Sequence, residues 1–340
     1  MKILYGVQGT GNGHITRARA MAKCFHEQGV SVDFMFSGRE PSQYFDMDIF
    51  GPYRTFKGLS FVTEDGKVQV LKSARKLNFL SFIKDVRALN VDSYDLIIND
   101  FEPVSAWAGK LAGKQVINIS HQAAFYDPLV PMLSVASLHR RFISLFAPSD
   151  LALGVHWLPF GGRILPPFVE VNCDNKQSHS FNLVYLPFEN LDEIISLLTL
   201  FSDEDFIVYH PDVTEKKQIE NCHINPLNRV NFIHDLQNCN GVICNAGFEL
   251  SSEALTLGKK LLVKPLQGQF EQLSNAKVLV DMQRATIMHS LNEFTLDSWL
   301  TEQGVEKVNF PSDPAPLINW LLAGNYQEPE QLCEQLWQRV

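Results

Sequence analysis

Two series of short apolar runs, each run followed by an amphipathic stretch, constrain this chain more than any other feature. In the first half the runs are residues 2–7, 31–36, 96–99 and 116–119. The rhythm restarts at 182–186 and continues through 206–209, 230–233, 241–244 and 260–263. Near-continuous apolar runs suit strands buried on both faces, and a helix after each returns the chain to start the next strand in parallel. The pattern predicts an α/β protein of two doubly wound, Rossmann-like domains, 1–168 and 180–322. Leu165-Pro166-Pro167-Phe168 reads as an ordered turn between them, and the polar run 173–180 as an exposed connector. A last helical pattern after Gly324-Asn325 is long enough to cross back, so 327–340 is expected to pack on the first domain.

The length of 340 residues agrees with two domains at about 150 residues each. A formal charge of −9 argues against a general nucleic-acid surface. The six cysteines, Cys24, Cys173, Cys222, Cys239, Cys244 and Cys333, include no C-x-x-C pair and read as reduced, buried thiols rather than a disulfide frame or a zinc site. No stretch approaches the roughly 18 to 20 apolar residues of a spanning helix, and the first residues enter a strand without a signal-peptide pattern. A cytoplasmic chain is expected.

The first run opens into Gly9-Thr10-Gly11-Asn12-Gly13-His14 and then a helical pattern. A strand, tight loop and helix start present unpaired backbone N–H groups and the positive end of a helix dipole, which can hold an anion. The spacing G-x-G-x-G differs from the dinucleotide G-x-G-x-x-G, and the next run ends in Ser37-Gly38-Arg39 without a ribose-binding acid, so NAD or FAD is disfavoured. The dipole disfavours a charged imidazolium at the helix start, making His14 a candidate general base; the bland alternative is a histidine that only packs there. Its orienting partner would be Asp100, at the end of the parallel run 96–99 and hence at the same sheet edge. Asp100 could equally cap the helix beginning near Pro103.

In the second half Asn231-Phe232-Ile233-His234-Asp235 precedes the run 241–244 and Asn245-Ala246-Gly247-Phe248-Glu249-Leu250-Ser251-Ser252-Glu253. After 260–263 comes Pro265-Leu266-Gln267-Gly268-Gln269-Phe270-Glu271-Gln272, followed by Asn275-Ala276. This arrangement resembles the donor half of GT-B glycosyltransferases, particularly the group around the bacterial peptidoglycan-lipid N-acetylglucosaminyltransferase and, more distantly, the plant UDP-glycosyltransferases. The loop Gly9 to His14 is similar to that group's glycine-rich loop ending in Gly-His, so the resemblance spans both domains.

The resemblance implies that the two domains face a cleft, with a UDP-sugar as substrate and no resident cofactor. Main-chain groups near Phe232-Ile233 would read the base, and Glu253 would accept from the ribose hydroxyls, a job that suits an acceptor-only carboxylate. Ala246, Gly247 and Phe248 would place a helix N-terminus against the diphosphate, and Gln269, Glu271 and Gln272 would contact the sugar. Glu249 suits a first-turn carboxylate and ranks below Glu253. The loop residues Gly9, Gly11, Asn12 and Gly13 would serve the acceptor or a phosphate. Arg17 stands where the related loops often carry proline, and Asn245 where the plant enzymes place a phosphate-binding histidine.

No D-x-D metal motif appears, and His121 and His210 follow runs without ligand spacing. The stretch 132–146 reads either as an amphipathic helix touching an anionic membrane face or as a core helix with solvated Arg140 and Arg141. The expected activity is metal-independent, inverting transfer from a UDP-sugar to a lipid-linked, saccharide or other small hydroxyl acceptor. The rivals are a GT-B nucleotide-sugar 2-epimerase or hydrolase, and a non-catalytic nucleotide-sugar-binding protein.

Overall fold

The computed structural model describes residues 1–59, 63–64, 67–68, 79–132, 136–171 and 180–340. The chain divides into two compact units: Met1–Val62, Val70–Glu170 and Phe310–Val340 form one, and Thr63–Gln69 with Val171–Asn309 the other.

In the first unit the order is β1 (Ile3–Gln8), α1 (Asn12–Glu27), β2 (Val32–Ser37) and β3 (Tyr53–Phe56). A two-stranded ribbon, β4 (Thr63–Glu64) and β5 (Lys67–Val68), belongs to the other unit. The first unit resumes with α2 (Phe79–Ala88), β6 (Leu96–Asp100), α3 (Pro103–Leu111), β7 (Val116–Ser120), α4 (His121–Ala124), α5 (Ala136–Phe146), β8 (Leu151–Val155) and β9 (Ile164–Leu165). These strands form a parallel sheet in the order β3-β2-β1-β6-β7-β8-β9. Strands β1, β6 and β7 are buried throughout, as the uninterrupted apolar runs require. Leu4, Met35, Ile97 and Val116 pack from the sheet against Phe82, Val86, Val104 and Ala108 of α2 and α3.

The second unit runs β10 (Phe181–Tyr185), α6 (Leu191–Leu198), β11 (Asp205–Tyr209), β12 (Lys217–Ile219), β13 (Cys222–Asn225), α7 (Arg229–Asn238), β14 (Gly241–Cys244), α8 (Phe248–Leu257), β15 (Lys260–Val263), α9 (Phe270–Asp281), β16 (Ala285–Ile287) and α10 (Glu293–Leu300). Its sheet order is β12-β13-β11-β10-β14-β15-β16, parallel except for the antiparallel pair β12 and β13. The chain ends with α11 (Ala315–Ala323) and α12 (Pro329–Trp337) in the first unit, where Trp337 Nε1 donates to the Ile164 carbonyl at 2.7 Å and Arg163 pairs with Glu330 at 2.6 Å.

One expected strand is absent. Residues 230–233 lie in α7, which Asn228 caps by accepting from the Asn231 N–H. Phe232 turns its ring edge-on to Tyr185 and Tyr209, so this apolar content serves helix-on-sheet packing. The sheet position falls to β13, whose sequence, Cys-His-Ile-Asn, carries too little apolar signal to be read.

Candidate active site

Each sheet reverses its winding once. In the first sheet β1 leads to β2 on one side while β6 lies on the other; in the second the reversal falls between β10 and β14. Loops leaving the carboxyl ends of strands diverge at such a point and leave a crevice, the usual place for a ligand in an open α/β sheet. The candidate residues gather at these two edges.

At the first edge, the loop after β1 carries Gly9, whose N–H donates to the Ser37 carbonyl at 2.6 Å. A Cβ there would sit 2.3 Å from the Tyr44 hydroxyl, so only glycine fits. Gly11 is the N-cap of α1 and supplies no side-chain cap; Asn12 opens the helix and accepts from Arg39 Nη1 at 3.2 Å. Gly13 and His14 complete the first turn. His14 Nδ1 lies 2.7 Å from Asp100 Oδ1, and Asp100 is wholly buried. Burial alone would raise the Asp100 pKa; the charges of Arg17 and His14 and their hydrogen bonds outweigh it, leaving the carboxyl below its ordinary value. An ionised carboxylate only accepts, so Nδ1 carries the proton in this contact and the Nε2 lone pair is the one available for chemistry.

Capping of α3 falls to Glu102, whose carboxylate accepts from the Val104 and Ser105 N–H groups at 2.8 and 2.6 Å and from the Ser37 hydroxyl at 2.6 Å. Between the two acids Phe101 adopts a left-handed conformation, φ 53°, and stacks on Phe146 at 4.7 Å. Such a backbone costs about 1–3 kcal/mol for a non-glycine residue and is characteristic of sites where geometry is imposed. Here it turns one acid toward α1 and the other under α3. Sequence reasoning marked Arg17 only as a departure from the related loops and gave it no role; it forks onto Asp100 through Nε and Nη2, both at 2.8 Å.

At the second edge, Gly247 is the N-cap of α8 with no side-chain cap, and a Cβ there would meet open space. The preceding turn is fixed from both sides: the Gly247 N–H donates to the Asn245 carbonyl at 2.7 Å, and Asn275 Nδ2 donates to the Ala246 carbonyl at 3.0 Å. Phe248 is buried and starts the helix. Most other helices close their own first turn, through Glu102, Ser120, Asn190, Asn228, Gln269 and Asn292. The C-terminal α11 and α12 also lack a side-chain cap, but neither follows a strand. The helices after β1 and β14 thus start on glycine, with N–H groups and a dipole directed at whatever occupies the crevice.

Glu249 and Glu253, one turn apart on α8, share an environment with Arg229. The Glu253 carboxyl is pushed up to about 7, first by burial and then by the Glu249 charge, with Arg229 partly offsetting both. Gln269 caps α9, accepting from the Gln272 N–H at 2.9 Å; Gln272 is buried and its Oε1 accepts from the Leu266 N–H at 2.9 Å; Glu271 lies in the first turn between them. Ile233 lies inside α7, so it is not the loop residue that a base-reading main chain calls for. A buried ion pair, Lys264 with Glu189 at 2.8 Å, joins Asn245 in crossing this edge, a cluster that scattered single residues did not reveal. Among the described residues no group of three or more His, Cys, Asp or Glu is placed to hold a metal ion.

The profile of glycosyl transferase family 1 matches residues 1–146 and 161–303. The chain belongs to this family. Glycosyl transfer is its chemistry, and the two sheets are those of the GT-B fold. Similar solved structures include the glycotransferase of kitacinnamycin, at 14% identity and TM-score 0.61 over 100% of this chain and 99% of that one. MurG of Acinetobacter baumannii aligns at 15% identity and TM-score 0.53, over 98% and 92%. The spinosyn rhamnosyltransferase SpnG, complexed with thymidine diphosphate, aligns at 13% identity and TM-score 0.54, over 89% and 92%. No curated protein matches the sequence.

Proposed function

We propose that this glycosyltransferase moves a sugar from a UDP-activated donor to a hydroxyl acceptor with inversion at the anomeric carbon and without a metal. The hydrogen bond from His14 Nδ1 to Asp100 carries the reading, because it leaves Nε2 as a base at a sheet edge beside a loop lined with N–H donors. In the reaction His14 takes the acceptor hydroxyl proton as that oxygen attacks the anomeric carbon from the face opposite the nucleotide. Asp100 holds the ring and stabilises the imidazolium, and the anomeric carbon–oxygen bond breaks toward the diphosphate. The uncapped start of α8, at Ala246, Gly247 and Phe248, holds the departing UDP, and Glu253 accepts from its ribose hydroxyls. Glu271 and the Gln269–Gln272 pair sit at the start of α9, after the next strand of the same sheet, and are assigned to the sugar.

Support for a lipid-linked acceptor comes from the first unit. Phe79, Leu80 and Ile83 on α2 and Leu138, Phe142 and Leu145 on α5 are exposed, and Lys84, Arg87 and Arg141 are exposed alongside them. Both helices flank α3, where Trp107 Nε1 donates to the Leu145 carbonyl. Arg140 is not part of a solvated edge, since its Nε donates to the Phe125 carbonyl at 2.9 Å; residues 133–135 of the expected stretch lie outside those described. An apolar face ringed by cations suits an anionic bilayer surface, and no helix among the described residues is long and apolar enough to cross a membrane.

The deciding experiment compares wild type with His14→Ala. General-base assistance is worth about 10²–10⁴ in rate, so turnover should fall at least 100-fold while UDP affinity by calorimetry stays the same. Near-normal turnover in the variant would remove the base assignment. Binding of UDP without turnover in the wild type, against any acceptor tried, would favour the non-catalytic reading, and loss of the sugar to water alone would favour a hydrolase. Affinities for UDP and thymidine diphosphate decide the nucleotide, because deoxyribose offers Glu253 one hydroxyl fewer.

A further inference from the structure

Residues 14 and 17 stand three apart on α1 and therefore share a face of the helix, and both side chains reach the same carboxylate. Arg17 engages Asp100 through a two-point fork, Nε to Oδ2 and Nη2 to Oδ1, each at 2.8 Å, and Oδ1 also accepts from His14 at 2.7 Å. Nη2 lies 3.3 Å from His14 Nδ1, so the three groups form one cluster. Arg17 is 4% exposed and Asp100 0%. A guanidinium is costly to bury, and a helix of this composition needs none for packing: Ile15, Ala18, Met21 and Ala22 already supply its apolar face.

We propose that Arg17 is a positioning residue of the catalytic group, clamping Asp100 in one orientation so that His14 is held with Nε2 toward the acceptor. This rests on the assignment of His14 as the base. The planar fork fixes the rotation of the carboxylate as a single-point ammonium would not. With Oδ1 fixed, the imidazole ring cannot turn without losing its bond. Charge matters equally, because burial by itself drives Asp100 toward its neutral form and Arg17 is the foremost group opposing it. Among the described residues, only Arg17 and His14 bring positive charge to Asp100. β1 and β7 carry no charged residue, and the one charged residue of α3, Lys110, is exposed in its last turn.

The test uses full-length protein with Arg17→Met, which keeps length and removes charge, and Arg17→Lys, which keeps charge and removes the fork. Sugar-nucleotide turnover is measured between pH 5 and 9, with UDP affinity by calorimetry. Arg17→Met should lower kcat at pH 7 at least tenfold, leave the donor KM and UDP affinity unchanged, and move the acid limb of the pH profile upward by about one unit or more as the buried carboxyl takes up a proton. Arg17→Lys should keep the limb near its wild-type position yet retain a lowered kcat.

A substrate-independent readout accompanies these. In difference infrared spectra at pH 6, Arg17→Met should show a protonated-carboxyl band that wild type lacks and that adding Asp100→Asn removes. Loss of activity by the same factor at every pH without that band, or unchanged kcat, overturns the proposal. If Arg17→Met does not fold, Arg17→Lys decides, since wild-type kcat there would show that the fork does nothing. His14→Ala measured in parallel separates the two readings: normal turnover in that variant defeats the base assignment, whereas a slow His14→Ala beside an unaffected Arg17→Met defeats only the role of Arg17.

Discussion

Replacing Glu253 by glutamine should stabilise the second unit and weaken nucleotide binding, and both effects should depend on pH. The Glu253 carboxyl is pushed up to about 7 in the folded chain, against an ordinary 4.5, because it is half-buried on α8 and loses hydration there, beside the Glu249 charge, with Arg229 partly offsetting both. In the unfolded chain the group is ionised from about pH 5 upward, while the folded chain holds the proton until about 7. Folding therefore takes up a proton between those values, and stability falls as pH rises through the window. Below pH 4.5 both states are protonated and Glu253 costs nothing; above 7 the full cost applies. The interval corresponds to about 3 kcal/mol, and partial exposure to water reduces it to about 1–3 kcal/mol. Glutamine keeps the shape and has no charge to bury, so Glu253→Gln should gain that amount at pH 8 and almost nothing at pH 4.5.

Because a chain of two units can unfold in more than one step, the measurement should be local: native-state hydrogen exchange of the segment spanning β14 and α8 along a urea series, at both pH values. A gain at pH 8 that persists unchanged at pH 4.5, or a loss at pH 8, would refute the reasoning. Function should move oppositely. A carboxylate accepting from ribose hydroxyls binds them only when ionised, so UDP affinity in the wild type should rise with pH up to about 7 and then level off, by at most tenfold per unit. In Glu253→Gln the affinity should be lower and flat with pH.

Gly247→Ala should leave the melting temperature unchanged, since φ is −73° and nothing lies near the added methyl group, yet weaken UDP by about tenfold while sparing uridine, as expected of a helix start that a diphosphate approaches closely; calorimetry with the two ligands checks it. Leu145→Glu, at a residue 55% exposed, should abolish flotation with vesicles containing anionic lipid without changing turnover of a water-soluble acceptor.

How far the sequence could be read follows the physics of each signal. Buried central strands are short closed runs of apolar residues, so residues 241–244 and 260–263 were legible to their ends. Residues 230–233 were not, because Val, Phe and Ile in that order serve an edge-packed helix as well as a strand, and only the Asn228 cap decides between them. β12 and β13 were invisible for the opposite reason: β12 is an edge strand exposed along its length and needs no apolar run, and β13 buries only Cys222 and Ile224, in alternation. At the first site edge, the pair His14 and Asp100 could be anticipated from parallel strands ending on one side. Which of Asp100 and Glu102 caps α3 could not, since that turns on the left-handed Phe101 between them, a conformation with no sequence signature. Arg17 was hidden too, because its spacing from His14 means nothing until Asp100 is in place.

What the sequence did carry was a difference in helix starts. Where a helix follows a strand and opens on Asn, Gln, Ser or Glu, the N-cap side chain accepts from the first turn; where it opens on Gly11 or Gly247, there is no side chain to do so. A glycine N-cap costs only a few tenths of a kcal/mol against serine or asparagine, so stability barely opposes it. The gain is a first turn whose backbone N–H groups are not taken up by the N-cap residue's own side chain. Among the described residues the two such starts on strand-to-helix turns lie one in each unit, each beside its sheet's reversal point, where loops diverge and an open α/β sheet usually takes its ligand.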